Sequence, residues 1–436
     1  MKLIHAIAVL GMAGTLAACE KEVILQGERI DPRDVLSGAV AAEAPAKDLA
    51  LSLPAQVSNA DWAQRAGGAD RALVNAAIGA GTALQWRAEI GQGADRRHRI
   101  TATPVVAGGR IFTLDSRARV TATGTNGQTI WQADLTPASD NADDASGGGL
   151  AFADGKVFVT TGFAELVALD AASGKVAWRQ KFGTAVGGAP TVADGMVYVA
   201  ARDSSSWAMR ESDGKVIWQL DAAPGPSAMT GVSAPAVGAK SVIFPYAGGQ
   251  LIAALKKGGL QLWQSSVPGL RPGRGYASVR DVTGDPVIIG NTIYAATSAG
   301  KVSAIDLTSG ERKWTATEGA TAPVQVAGGS VFLVSDEAHL VRLDAATGEE
   351  IWSVALPYYL KDKIKRQQEI HAHLGPVLAG NKLFVASSDD RLRVFDPKTG
   401  GLLSEADLPG GAATSPVVAG GALYVPTNNG KLLAFR

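Results

Sequence analysis

From about residue 84 to the C-terminus, short apolar runs alternate with polar, glycine-bearing turns, and the alternation repeats as one unit. A copy opens with Pro, an apolar pair and a tight step containing Gly, as in Pro104-Val-Val-Ala-Gly-Gly-Arg-Ile-Phe112. Further copies open at Pro190, Pro235, Pro286, Pro323, Pro376 and Pro416, and one near Gly149 has Gly in place of Pro. A β-branched or aromatic run follows, such as Val157-Phe158-Val159, which reads as a buried strand. Steps such as Asp154-Gly155 and Asp194-Gly195 predict two-residue hairpins, because these residues accept positive φ.

The second half of each copy is a recurrent turn and a Trp. Asp170, Asp306, Asp344 and Asp396 each stand four residues before a Gly. The carboxylate can accept from backbone N–H groups just ahead, and the Gly takes the left-handed position. The fourth copy of the repeat is degenerate: Lys256-Lys-Gly-Gly259 keeps the length of the turn but not its Asp. The closing Trp recurs at 86, 131, 178, 218, 263, 314 and 352, about 40 to 50 residues apart, the length of a four-stranded propeller blade. Its ring is expected to pack between neighbouring blades. The last copy ends at Phe435 with no Trp strand, and the first Trp strand, residues 84–90, has no blade of its own. The pattern therefore predicts an all-β fold, an eight-bladed β-propeller of four-stranded antiparallel blades. The N-terminal strand closes it by becoming the outer strand of the last blade, which removes exposed sheet edges.

The N-terminus follows a different pattern. A basic start and an apolar run from Leu3 to Leu16 have the length of a secretory signal, too short to span a bilayer. The run ends Leu16-Ala-Ala-Cys19, the form of a lipoprotein cleavage site, and Cys19 is the single cysteine of the chain. The expected division is a lipoprotein signal peptide over 1–18, a lipidated Cys19 with a flexible Ala/Pro tether that packs on nothing over 19–60, and the propeller over 61–436. Multiple acyl chains would give stable anchoring. Glu20 rather than Asp after the cysteine points to the outer membrane of a Gram-negative cell, with the globule facing the periplasm. Two segments break the repeat: residues 358–370, charged and compatible with a short helix, and a long Gly/Arg-bearing connection over 268–285.

Composition narrows the function. There are 41 basic and 41 acidic residues, so the surface lacks the excess cation that a dedicated nucleic-acid binder needs. With one cysteine no intramolecular disulfide can form. His371 and His373 could share one face of a strand, but no third metal ligand stands nearby. Asp140-Asn-Ala-Asp-Asp144 lacks the central Gly and terminal Glu of a calcium loop. The run Arg96-Arg-His-Arg99 reads as a solvated face or a surface for an acidic partner.

The stretch Ala304-Ile-Asp-Leu-Thr-Ser-Gly-Glu-Arg-Lys-Trp314 and its copies resemble the repeat of pyrroloquinoline-quinone-type propellers. Enzymes of that type hold the quinone under a vicinal Cys-Cys disulfide, beside a calcium bound by carboxylate and amide oxygens. Neither the cysteine pair nor a matched ligand set is present, so no cofactor, no small-molecule substrate and no catalysis are expected. Together with the lipoprotein signal and tether, the chain resembles the BamB family. That resemblance implies a non-catalytic scaffold of the β-barrel assembly complex that binds the POTRA domains of BamA. Two connections between blades would carry the contact. In one, Ser227-Ala-Met229-Thr230-Gly231 precedes Ser233-Ala-Pro235, with Met229 as the apolar anchor. In the other, Arg280 and Asp281-Val-Thr283 precede Pro286, with Asp281 as the charge. Both are expected as exposed loop positions. The rival reading is a periplasmic propeller that binds peptidoglycan or another ligand.

Overall fold

The computed structural model describes residues 49–223, 233–269, 271, 275–361 and 363–436. Among these residues thirty-two strands form eight four-stranded antiparallel sheets, each a blade. Blade 1 runs outward from the ring axis as Val105–Ala107, Arg110–Leu114, Arg119–Gly124 and Thr129–Asp134. Blades 2 to 7 repeat this order along the chain. Blade 8 takes its first three strands from Val417–Ala419, Ala422–Pro426 and Lys431–Phe435, and its outer strand from Leu84–Glu89. The register pairs Trp86 with Ala434 and Arg87 with Leu433, as the closure predicted from the sequence requires.

Local chemistry explains the turns. Asp154 and Gly155 have φ of 43° and 73°, so the hairpin takes two left-handed residues in succession. At the next turn Asp170 Oδ1 accepts from Ser173 N at 2.8 Å, and Gly174 closes it at φ 72°. Each outer strand carries one extra residue, beside the Trp in every blade but the seventh, where Ser404 takes that position. In blade 1, Ala122 faces Trp131 but Thr123 faces Thr129, which leaves Ile130 as a bulge. Such a bulge re-aims the neighbouring side chain.

The chain outside the repeat is not a free tether over its whole length. Residues 59–76 wind once around the inside of the ring and bond to the innermost strand of every blade in turn. Asn59 Nδ2 donates to Val418 O at 2.6 Å in blade 8, and Trp62 exchanges bonds with Val106 in blade 1. Phe152 N donates to Ala63 O in blade 2, and the Gln64 amide brackets Val192 in blade 3. Ala69 O and Asp70 O accept from Val237 N and Ile288 N in blades 4 and 5. Gln325 Nε2 donates to Leu73 O in blade 6, and Gly380 N to Ala76 O in blade 7. Val57 then bonds to Asn75 and Ala77, so this belt meets itself. Unpaired strand edges left facing the axis would be costly, and the belt satisfies them.

Residues 49–60 therefore depart from the expected tether. Leu49, Leu51 and Leu53 pack on the core of blades 6 and 7, and Arg342 Nη2 donates to Leu49 O at 3.0 Å. Apolar residues at alternate positions beside a blade bury themselves rather than stay in water. Cys19 and residues 1–48 lie outside the described residues. The 358–370 insert contains one 3-10 turn, Ile364–Arg366, and a bridge between Tyr359 and Ile370. Among the described residues no helix is long and apolar enough to cross a membrane.

Candidate partner interface

A four-stranded meander puts its first and third turns on one face of the ring. The second turn and the connection to the next blade fall on the other, so all long connections share one face. The two connections singled out from the sequence are consecutive there, from blade 3 to blade 4 and from blade 4 to blade 5. Ser227, Met229, Thr230 and Gly231 lie outside the described residues. The end of that connection is described, and it is tied to its neighbour. Ser233 Oγ donates to Val282 O at 2.6 Å, and Ala234 N donates to Asp285 Oδ1 at 3.0 Å.

The second connection corrects part of the expectation. Arg280 is exposed, but Asp281 and Thr283 are 7% and 8% exposed, not open loop positions. The first strand of blade 5 starts at Val282, four residues before the Pro that marks the repeat. Thr283 is thus in the strand and donates from Oγ1 to Ala320 O at 2.7 Å. Asp281 Oδ1 accepts from Gly248 N at 3.2 Å. Polar groups at a strand start are drawn inward to satisfy backbone donors and acceptors there.

At the strand starts of blades 4 and 5 lies a charged knot that sequence reasoning missed. Asp285 is buried and faces Arg65 Nε at 3.0 Å and Arg71 Nε at 3.9 Å. Arg71 is wholly buried, and donates to Arg65 O at 2.6 Å and Pro235 O at 3.2 Å. Burial pulls its pKa down to about 10, against the opposing pull of Asp285. The only available signal was an arginine in a segment without strand alternation, which by itself marks nothing. On the far side of the second connection Arg271 binds Asp336 at 3.0 Å and Glu337 at 3.1 Å, with Glu318 at 3.7 Å. Tyr276 donates to Asp336 Oδ2 at 2.8 Å. Burial pushes Glu318 up to about 7, although Arg271 opposes it. This connection is therefore anchored at both ends, to blade 4 and to blade 6.

Other candidates resolve as structural. His373 is buried, bonded at Nδ1 to Ser387 Oγ and at Nε2 to Pro357 O, each at 2.7 Å. Burial holds its pKa below the ordinary value. Its ring centre is 6.4 Å from that of His371. Among the described residues no cluster of three or more His, Cys, Asp or Glu could hold a metal. The belt lines the inner strand edges of the blades around the axis. Trp62, Arg65, Ala66 and Leu73 face Thr103, Pro376 and Pro416 across a cavity of about 20 Å³, room for a water molecule but not for a cofactor.

The comparisons agree with this architecture. The sequence profile described as "Outer membrane protein assembly factor BamB" matches residues 116–354 and 359–436. The proteins so named in Yersinia pestis and Escherichia coli are 26% and 28% identical, over 80% and 79% of this chain and 88% and 86% of theirs. The crystal structure of BamB from Moraxella catarrhalis superposes with a TM-score of 0.65 at 20% identity, over 80% of this chain and 99% of that one. Quinohemoprotein alcohol dehydrogenase from Comamonas testosteroni superposes at 0.64 with 17% identity, over 86% of this chain and 80% of that one, a likeness of fold alone. With the profile matched along most of its length, the chain belongs to the family of outer membrane protein assembly factor BamB.

Proposed function

We propose that this protein is a non-catalytic scaffold of the outer-membrane β-barrel assembly complex. It is held to the outer membrane by lipid on Cys19, faces the periplasm, and binds the POTRA domains of BamA. Membership of the family supports the scaffold role. The observation that carries the contact surface is the bonding of the two consecutive connections through Ser233–Val282 and Ala234–Asp285. Two consecutive connections tied to each other at their ends suit an interface whose energy sits in a few residues. Met229, with Ser227, Thr230 and Gly231 around it, supplies the apolar part, and exposed Arg280 the charge. Asp281 and Thr283 hold the second loop in place rather than touch the partner.

The test is a titration of purified POTRA fragments against the wild-type protein and Met229→Asp/Arg280→Glu. Binding is expected to weaken by about 2 kcal/mol or more with an unchanged melting temperature. Asp281→Arg is expected to lower the melting temperature instead. Unchanged affinity in a folded double variant would place the interface elsewhere. For the anchor, Cys19→Ala is expected to release a folded protein from the membrane fraction or block its processing.

A further inference from the structure

Two clusters that stand about forty residues apart in the chain become neighbours in the ring. The connection from blade 8 to blade 1 carries residues 95–99, and that from blade 1 to blade 2 carries residues 140–146. The first loop is held rigidly. Asp95 Oδ1 accepts from Arg97 N at 2.7 Å and His98 N at 2.8 Å, and Arg99 N donates to Ser146 Oγ at 2.9 Å. The His98 ring is buried and spans the two loops, with Nδ1 at 3.1 Å from the Asp95 carboxylate and Nε2 at 3.1 Å from Asp143 O. Arg117, from a turn of blade 1, reaches Asp95 Oδ2 at 3.0 Å and also binds Asp143.

Asp95 and Asp143 are thereby engaged by His98, Arg117 and backbone N–H groups, while Asp144 accepts from Asn141 N at 2.7 Å and Asp140 from Ser139 Oγ at 3.2 Å. Arg96, Arg97 and Arg99 are exposed, and among the described residues none of them has a carboxylate within ion-pair distance. Arg96, Arg97 and Arg117 border one open groove together with His98, Asp95 and Asp143, whose carboxylates are already taken by Arg117 and His98. We propose that this groove is a docking site for an acidic segment of a partner protein, whose carboxylates are taken by Arg96 and Arg97 in the groove and by exposed Arg99 on the same loop. Guanidinium groups present fixed pairs of donors that match carboxylates. A loop already fixed by its own hydrogen bonds loses little freedom on binding. Neither connection exposes a large apolar side chain, so nothing there would enter a bilayer, and this favours a protein over a lipid surface. The site is distinct from the 224–232 and 267–281 connections, and stands or falls independently of them.

The experiment uses the full chain in detergent and a fluorescent polyglutamate peptide as probe. The wild type is expected to bind it with an affinity that falls as salt is raised. Arg96→Gln/Arg97→Gln/Arg99→Gln should weaken binding by about tenfold or more, with the melting temperature unchanged. Lys361→Gln/Lys363→Gln/Lys365→Gln, in the other basic segment, should leave it unchanged. Absence of peptide binding by the wild type, or equal losses in both triple variants, would overturn the proposal. So would tighter binding to phosphatidylglycerol vesicles than to peptide that is lost with the same three arginines. If the triple variant melts early, Arg97→Gln alone repeats the test with the backbone bonds of the loop intact.

Discussion

Between blades 5 and 6 the indole of Trp314 lies over the turn at Gly348, and its Nε1 donates to Ala345 O at 3.0 Å. Between blades 7 and 8 the corresponding position is Ser404, exposed and paired with Val394. The other six seams repeat the stacking, with Trp86, Trp131, Trp178, Trp218, Trp263 and Trp352 over Gly127, Gly174, Gly214, Gly259, Gly310 and Gly400, and all but Trp352 also make the indole N–H bond. The difference has a topological cause. In blade 8 the third and fourth strands come from opposite ends of the chain, so no turn joins them, and Ala83 and Arg436 bond to each other instead. A Trp at 404 would have no turn to cover. The chain leaving the belt covers the aromatic of blade 7 in its place, with Gly81 directly against the ring of Phe384 and Ile78 beside it. In the tryptophan-bearing blades other than blade 4, which has Ile243 at that position, the matching aromatic meets its own Trp, as Tyr294 does Trp314 at 6.0 Å. A repeat residue persists where the surface that receives it exists, and the seam that lacks that surface is closed by non-repeat chain.

Removing the closing segment is the strongest way to break this comparison. Relative to a chain that begins at Leu49, one that begins at Leu84 loses the belt and the cover on Phe384. It is expected to melt more than about 10 °C lower or to fail to fold. Equal melts would mean that the outer strand alone closes the ring. Next, Trp314→Ala is expected to cost about 3–5 kcal/mol by urea unfolding. Ser404→Trp should change stability by no more than about 0.5 kcal/mol, because the new ring has nothing to pack on. A clear gain from Ser404→Trp would show that seam 7–8 can accept the regular packing.

The glycines under the indoles sharpen the point. A Cβ on Gly348 would stand 2.5 Å from the Trp314 ring at φ 76°, whereas Gly109, at φ 72°, faces open space. Gly348→Ala is expected to cost about 2–4 kcal/mol and Gly109→Ala about 1 kcal/mol, so unfolding midpoints separate ring contact from backbone strain. The smallest effect concerns the lock between the first two connections. Both ring nitrogens of His98 face acceptors, so the imidazolium fits best, and the bond to Asp143 O together with Asp95 raises its pKa above the ordinary 6.5. Asp95 is held well below the ordinary carboxylate range, by the backbone N–H of His98 first. The contribution of His98 is full below about pH 6.5 and is lost as pH rises through its own higher pKa. That of Asp95 is present above the ordinary carboxylate pKa and is lost only toward strong acid. The melting-temperature gap between wild type and His98→Gln should therefore be widest near pH 5–6 and shrink above pH 7. A gap independent of pH would mean that the ring is neutral.

Much of the fold was legible in the sequence because each copy writes out its own hairpins, turn and Trp in local chemistry. The sites were less so. Ser233 and Val282, or His98 and Asp143, meet only because consecutive blades put their connections on one face. Asp281 reads as an exposed loop acid until the first strand of blade 5 is seen to start at Val282, ahead of the repeat's Pro286.

By itself, then, the sequence determined the blade, the number of blades and the closure of blade 8 by residues 84–89. Strand alternation, left-handed turn positions and a Trp at fixed spacing act within some forty residues. Only the tertiary structure decided the path of residues 49–83. Asn59, Gln64 and Leu73 have no repeating neighbours in the chain to predict their partners. Those partners are the inner strand edges of eight separate blades, which face one axis only after the ring has formed.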